Sequence, residues 1–450
     1  MKRDRVEQLD AELQTMPKPA AKRMKTENST HDPEWTPRAA PLDFLSESPW
    51  ELPTKNNQVS SFNPNQIARD ALETNVVLHP RLPKLFSSFL EFKRRHGSGL
   101  EKGLYARMNA HDLAARLIKK RALHFTNASD FTVLRDKRVI PNAHQDWLRV
   151  GRDDEGEIHL EDYLSYDEMM LSSLIGSSGP TFFINTGARN NAAKIDEAKL
   201  HQKREIIVGL VGTRFHAKAQ MDNPICGLIH NQKSAYAQDP RLTKIFRDFF
   251  DPESTSEGVK VYDAGHFQQT FDKSVYKGRI RISIETALLE ADSRAAADGV
   301  KAHLFLAGLG LGVWRESAQQ LQWYFEEVAA CIKRLDLQHV NVLELGWDHC
   351  PSSVKDELIA TGAGHGIKVL VSSKRAPCAK LSSNDLLVRV WAWDSNSLPG
   401  NEWWSGCLTS SDDPAAACCS TIAELHNPYV NPFEHRVKVL QERFREEGPV

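Results

Sequence analysis

Residues 300–345, VKAHLFLAGLGLGVWRESAQQLQWYFEEVAACIKRLDLQHVNVLEL, narrow the choice of fold more than any other stretch of the chain. Val300 to Leu306 is a short apolar run that ends in Ala307-Gly308-Leu309-Gly310-Leu311-Gly312. Beyond it, Leu321, Tyr324, Phe325, Val328, Ile332 and Leu335 recur at three- and four-residue steps, which puts them on one face of a helix. Val340 to Leu345 is apolar again. Strand, glycine turn, helix and strand make a βαβ unit, whose two strands run parallel. The glycines let the backbone approach a ligand closely and leave the N–H groups of a helix start free, an arrangement suited to phosphate. Glycine turns after strands also serve packing alone.

The segments around this unit alternate in the same way. Thr181 to Ile184 is expected as a strand running into Asn185-Thr186-Gly187, and Glu205 to Gly212 as a second, leading into Thr213-Arg214-Phe215. Residues 279–298 carry a helical stripe through Ile280, Ile284, Leu288 and Ala291. A helix over 353–361 and strands at 367–371 and 386–393 follow. Near-continuous apolar strands separated by helices predict an α/β fold, a mostly parallel sheet covered on both faces. The domain spans 151–435, after a helical region at 61–150 with amphipathic stripes at 82–92 and 111–125, and 436–450 is expected as a C-terminal tail.

Residues 1–60 are polar and rich in Pro, Lys, Glu, Ser and Asn, the composition of a disordered tail. Within it, PKPAAKRMK at 17–25 resembles a single-cluster nuclear import signal, and a solvated charge run would look the same. No apolar N-terminal segment marks secretion, so nucleus and/or cytoplasm is the expected location. Lys plus Arg number 57 against 59 for Asp plus Glu, a balance that gives nucleic acid no overall pull. No run of about 18 apolar residues exists, so no membrane span is expected. The seven cysteines are odd in number and scattered without a CxxC pair, so neither a disulfide framework nor a metal site is expected.

The block 391–432 concentrates chemistry. Asp394, Glu402, Asp412 and Asp413 fall within twenty residues, among Asn396, Asn401 and Asn427 and the tryptophans at 391, 393, 403 and 404. Aromatic walls around a few convergent polar groups describe a binding pocket; a surface loop whose tryptophans complete the core is the plainer alternative. A dinucleotide redox site fits poorly. The turn is GLGLG rather than G-x-G-x-x-G, and the acid ending the next strand, Glu344, lies well beyond the spacing that a ribose-binding acid requires.

Taken together, GVKAHLFLAGLGLGVWRESAQQLQWYFEEVAACI at 299–332 and WDSNSLPGNEWWSG at 393–406 resemble the two ligand loops of macrodomains, the three-layer α/β/α modules that bind ADP-ribose. The loops stand here in reversed order. A closer likeness is to the MavL-like macrodomain enzymes, which remove mono-ADP-ribose from arginine side chains. It covers roughly 160–432 and is carried by EDYLSYDEM, TFFINTGARNN, LFLAGLGLGVW, WAWDSNSLPGNEWW and SDDPAAACCS.

The resemblance implies that Gly308, Gly310, Leu311, Gly312 and Val313 line the diphosphate with Trp314 near the distal ribose, and that Asn185, Asn396, Asn401 and Trp403 complete the ADP-ribose site. It also implies an acidic trio, the second member eight and the third eighteen positions after the first. Asp394, Glu402 and Asp412 stand at that spacing, with Asp413 competing for the third role. The expected partners are then ADP-ribose and arginine-modified proteins, with no cofactor and no metal. A non-catalytic reader of ADP-ribose is the alternative; the carboxylate cluster argues against it.

Overall fold

The computed structural model describes residues 45–445 except 128, 216–219, 228–237, 253–258, 263–267, 347–349, 372–374, 395 and 410. The basic run at 17–25 and most of the expected N-terminal tail lie outside the described residues.

An eight-stranded sheet organises the chain. Its strands are β1 (Asn75–Leu78), β2 (Gly176–Phe182), β3 (Arg204–Leu210), β4 (Ala302–Leu306), β5 (Val340–Leu345), β6 (Lys368–Val371), β7 (Leu386–Ala392) and β8 (Val437–Val439). They hydrogen-bond in the order β6-β5-β4-β7-β3-β2-β1-β8. From β6 to β3 every pairing is parallel; β2 runs antiparallel to both neighbours, and β1 pairs parallel with β8. This is the mostly parallel α/β sheet that the apolar segments predict. The chain winds outward from β4 through β5 to β6, then returns to insert β7 on the other side of β4. At such a reversal a crevice opens beyond the carboxyl ends of the strands. The turns after β4 and β3 therefore flank the turn after β7.

The helices that matter for the site are α1 (Leu82–His96), α2 (Ala110–Lys119), α3 (Tyr166–Ser172), α4 (Lys273–Asp298), α5 (Gln319–Arg334) and α6 (Asp412–Cys419). Both faces of the sheet are covered. Ser177 and Ser178 are successive residues of β2 and point to opposite faces: Ser178 Oγ donates to Glu290 of α4 at 2.7 Å, whereas Ser177 Oγ meets His426 Nδ1 at 2.9 Å on the other side. Helix α4 begins where Asp272 accepts the Val275 N–H and ends at Gly299 with φ 68°. It is buried around most of its circumference, so its polar groups find partners inside the protein. Arg279 Nε donates to Asp222 at 2.9 Å, Ser283 Oγ to the Val211 carbonyl at 2.9 Å, and Glu285 pairs with His79 at 2.7 Å. Leaving one such group unmet would cost about 1–3 kcal/mol, so these pairs fix how α4 lies on the sheet.

The structure departs from the sequence expectations in places. The strand expected at 181–184 is instead Gly176–Phe182, a run of small residues. Its glycines permit close packing: a Cβ on Gly179 would lie 2.6 Å from Thr74 Oγ1. The stripe at 111–125 is helical only to Lys119, and His124–Thr126 pairs with Phe131–Val133 in a small separate sheet. The expected helical region contributes β1 to the main sheet, and the expected tail contributes β8. Strands of four and three residues are too short to show periodicity. Deleting residues 436–450 strips β8 from β1, whose Val76, Val77 and Leu78 are fully buried. The truncated chain should melt several degrees lower or become insoluble; an unchanged melting temperature would mark the segment as a dispensable tail.

Candidate active site

The turns leaving β4, β7 and β3 meet at one rim. After β4, Leu309 N–H donates to the Ala307 carbonyl at 2.9 Å and Leu311 N–H to that of Gly308 at 3.1 Å, closing a tight turn over the buried Leu309 and Leu311 side chains. Gly310 sits at φ 75°, and a Cβ there would lie 2.7 Å from Thr213 N; a Cβ on Gly212 would lie 2.1 Å from Gly310 N. The turns after β4 and β3 thus touch backbone to backbone, which glycine alone permits. At Gly312 an added Cβ meets nothing within 4 Å, and Val313 beside it is 84% exposed. The N–H groups of Gly310, Gly312, Val313 and Trp314 have no acceptor among the described residues.

These donors do not belong to a helix start, as the sequence predicts. Helix α5 begins at Gln319, and Gln320 Oε1 holds the N–H groups of Glu316 and Ser317 at 2.8 Å each. The residues between form a separate bend, so the turn itself presents the free donors.

Beyond β7 the carboxylates divide into two kinds. Asp412, the first residue of α6, accepts from Arg389 Nη2 at 2.8 Å and from Ala392 N–H at 2.7 Å. Arg389 is fully buried in β7; burial disfavours its charge, yet Asp412 holds the guanidinium above its usual pKa. Asp413 accepts the N–H groups of Gly400 and Asn401 at 2.8 and 2.7 Å. Burial, with Asp394 nearby, drives its carboxyl well above the ordinary range against those two donors. Both aspartates hold the loop in shape. Asp394 and Glu402 are half-buried. Asp394 accepts from Asn401 Nδ2, whose amide oxygen takes the Phe125 N–H at 2.6 Å. Burial pushes the Asp394 carboxyl up to about 7; Arg214 opposes the rise, and Glu402 and Asp130 add to it. Glu402 accepts from Ser411 Oγ at 3.3 Å.

From the turn after β3 comes Arg214, buried, with Nη2 donating to Asp130 at 2.6 Å. Its guanidinium carbon lies 4.3 Å from the Phe125 ring centroid and 5.3 Å from that of Trp314.

A family model described as "MavL-like: ADP-ribosylhydrolase MavL-like" matches residues 43–441. Two proteins of Drosophila melanogaster are similar over most of their length. "ADP-ribosylarginine hydrolase CG3568" is 35% identical over 384 residues, 79% of this chain and 75% of that protein. "ADP-ribosylarginine hydrolase CG2909" is 31% identical over 425 residues, 87% of this chain and 83% of that protein. The chain belongs to the MavL-like ADP-ribosylhydrolase family.

In this MavL-like enzyme Asp394 and the turn from Gly308 to Trp314 follow neighbouring strands, and Asn401, Glu402, Asp412 and Asp413 come in the loop and helix start after β7. Two expected ligand residues lie elsewhere. Asn185 follows β2, whose antiparallel course carries it to the opposite edge of the sheet; there it donates to the Lys194 carbonyl at 2.9 Å and accepts from Gly187 N–H at 2.9 Å. Trp403 is 1% exposed, in a core cluster with Ala193, Ala417, Cys418 and Ala423. Trp391 and Trp393 are likewise buried, so these tryptophans complete the core and do not wall a pocket. Asn396 is fully buried, and its side-chain amide has no partner among the described residues.

Sequence reasoning marked Arg214 only as part of a loop, Tyr166 only within EDYLSYDEM and Phe125 only as the end of a helical stripe, and it passed over Asp130. Gly212→Ala should destabilise the fold by about 1–3 kcal/mol, because the added Cβ strikes the Gly310 backbone. Gly312→Ala should melt with the wild type; equal melting temperatures for both variants would contradict the backbone contact.

Proposed function

We propose that this chain hydrolyses the bond between mono-ADP-ribose and arginine side chains of proteins, with ADP-ribose held in a macrodomain-like cleft at the crevice. One observation carries the reading: β7 ends between the turns after β4 and β3, which brings the half-buried Asp394, with Glu402 in the loop that follows, to the rim that carries the glycine turn. The names of the two Drosophila relatives support arginine as the linkage.

The free N–H groups from Gly310 to Trp314 supply donors to a diphosphate, as anion-binding turns do. The scissile bond joins the ribose anomeric carbon to a guanidinium nitrogen, and its cleavage passes through a cationic, oxocarbenium-like state. Glu402 activates the attacking water by taking its proton. The C–N pair leaves with the guanidine, which departs as a neutral base and receives that proton. Asp394 holds the ribose hydroxyls and the guanidinium, and its negative charge stabilises the developing cation. A guanidinium stays charged at all relevant pH, so a carboxylate-lined crevice suits the arginine side of the substrate. The basic run at 17–25 fits an import signal, and location in the nucleus and/or cytoplasm belongs to the same reading.

Glu402→Gln should lower turnover of an arginine-ADP-ribosylated peptide by about 10²–10⁴-fold, with calorimetric affinity for ADP-ribose retained. Full activity in that variant would sink the assignment. Saturable binding without release of ADP-ribose by the wild type would establish a reader instead. Because Asp394 acts as the carboxylate and is pushed up to about 7, kcat/KM should fall as pH drops through about 7. A rate level from pH 8 to pH 5 would exclude Asp394 from that role.

A further inference from the structure

Arg214 is clamped at every point where it meets the protein. Its backbone N–H donates to Asp222 Oδ2 at 2.8 Å, and the other oxygen of Asp222 takes Arg279 Nε of α4 at 2.9 Å. Its Nη2 donates to Asp130 Oδ1 at 2.6 Å and to the Asn127 carbonyl at 3.2 Å. Asp130 is 1% exposed and accepts from the Tyr166 hydroxyl, which His144 Nδ1 meets at 2.7 Å. The rings of Phe125 and Trp314 pack against the guanidinium. Nε and Nη1 are nonetheless buried with no hydrogen-bond partner among the described residues. Two unmet donors on a buried cation are costly unless its charge acts on a neighbour.

That neighbour is Asp394. Trp393 N–H donates to the Leu210 carbonyl at 2.8 Å, which sets Asp394 next to the start of the turn carrying Arg214. A second route runs through Phe125, whose ring lies under the guanidinium and whose N–H donates to Asn401, the residue that donates to Asp394. The other charged groups acting on Asp394 are Glu402 and Asp130, both carboxylates that favour its protonated form. Arg214 is the cation that opposes them, beside the hydrogen bond from Asn401.

We propose that Arg214 is a positioning residue for the hydrolysis: held by Asp130 and Tyr166, its guanidinium opposes the carboxylates around Asp394 and fixes Asp394 for the ribose and the substrate guanidinium. This rests on the role given to Asp394 under Proposed function. The arrangement answers a problem specific to this reaction. The site must be negative enough to hold a cationic leaving group, yet its carboxylates must not neutralise one another by taking up protons. A buried cation beside Asp394, tied to Asp130, works toward both demands.

The test is the titration of Asp394 in protein labelled with ¹³C-aspartate, assigned by comparison with Asp394→Asn. Arg214→Gln should tighten proton binding to Asp394 by about tenfold or more. The acid limb of kcat/KM should move to higher pH with it, KM should change less than about threefold, and Arg214→Lys should restore much of the wild-type midpoint. An unmoved midpoint in Arg214→Gln overturns the proposal. So does an unmoved midpoint with tenfold weaker ADP-ribose binding, which would make Arg214 a direct contact to the diphosphate. If the glutamine variant does not fold, Arg214→Met, apolar between the two rings, carries the same measurement. The carboxyl titration needs no turnover, so it decides the role of Arg214 even if Glu402→Gln refutes the proposed hydrolysis.

Discussion

The insertion of β7 between β4 and β3 is the constraint on which the rest of the molecule depends. Only this placement sets the glycine turn, the acidic loop and the turn carrying Arg214 side by side. The strand holds its place with an unusual residue for a doubly covered sheet, the fully buried Arg389. A buried guanidinium is tolerable only when it is paired, and the partner is Asp412 at 2.8 Å. The same carboxylate accepts the Ala392 N–H at the end of β7. One ion pair thus ties the last turn of the strand to the first turn of α6 and determines where the acidic loop begins.

The charges at the crevice follow from that geometry. Asp394 and Glu402 are half-buried, and Arg214, Glu402 and Asp130 all act on Asp394. Burial alone would neutralise a carboxyl in such company. In the reaction proposed above, a cationic substrate group entering the crevice would relieve the same repulsion and favour the charged form of Asp394. Recognition of the arginine side of the substrate and readiness for chemistry then become two aspects of one charge balance.

Much of this was legible in the sequence. The βαβ unit at 300–345 appears with β5 as expected and β4 two residues shorter at its start, and Asp394 follows the end of β7. The parts that were not legible have identifiable physical causes. Gly176–Phe182 is a strand built on close backbone approach, and a strand of Gly and Ser carries no apolar signal. The tryptophans near 400 resemble pocket walls in sequence because large aromatic side chains serve cores and ligands alike; only their burial separates the two uses. Asn185 has the turn chemistry of a ligand loop, but the antiparallel direction of β2, invisible locally, carries it to the wrong edge. Phe125 and Asp130 come from one hairpin and Arg214 from a turn more than eighty residues later, and nothing short of the tertiary fold brings them together.

The pairing of β1 with β8 bears on how the molecule is made. Val76 lies opposite Val437 in the sheet, so the edge beside β2 waits for residues at the far end of the chain. During synthesis the ribosome releases β1 long before β8, and the buried face of β1 must be shielded or left exposed until β8 has been made. Contacts between such distant residues slow folding and lengthen the life of aggregation-prone intermediates. The closing strand therefore acts as a completeness check: a nascent or prematurely terminated chain keeps an open sheet edge, the kind of surface by which folding helpers and proteases recognise unfinished protein.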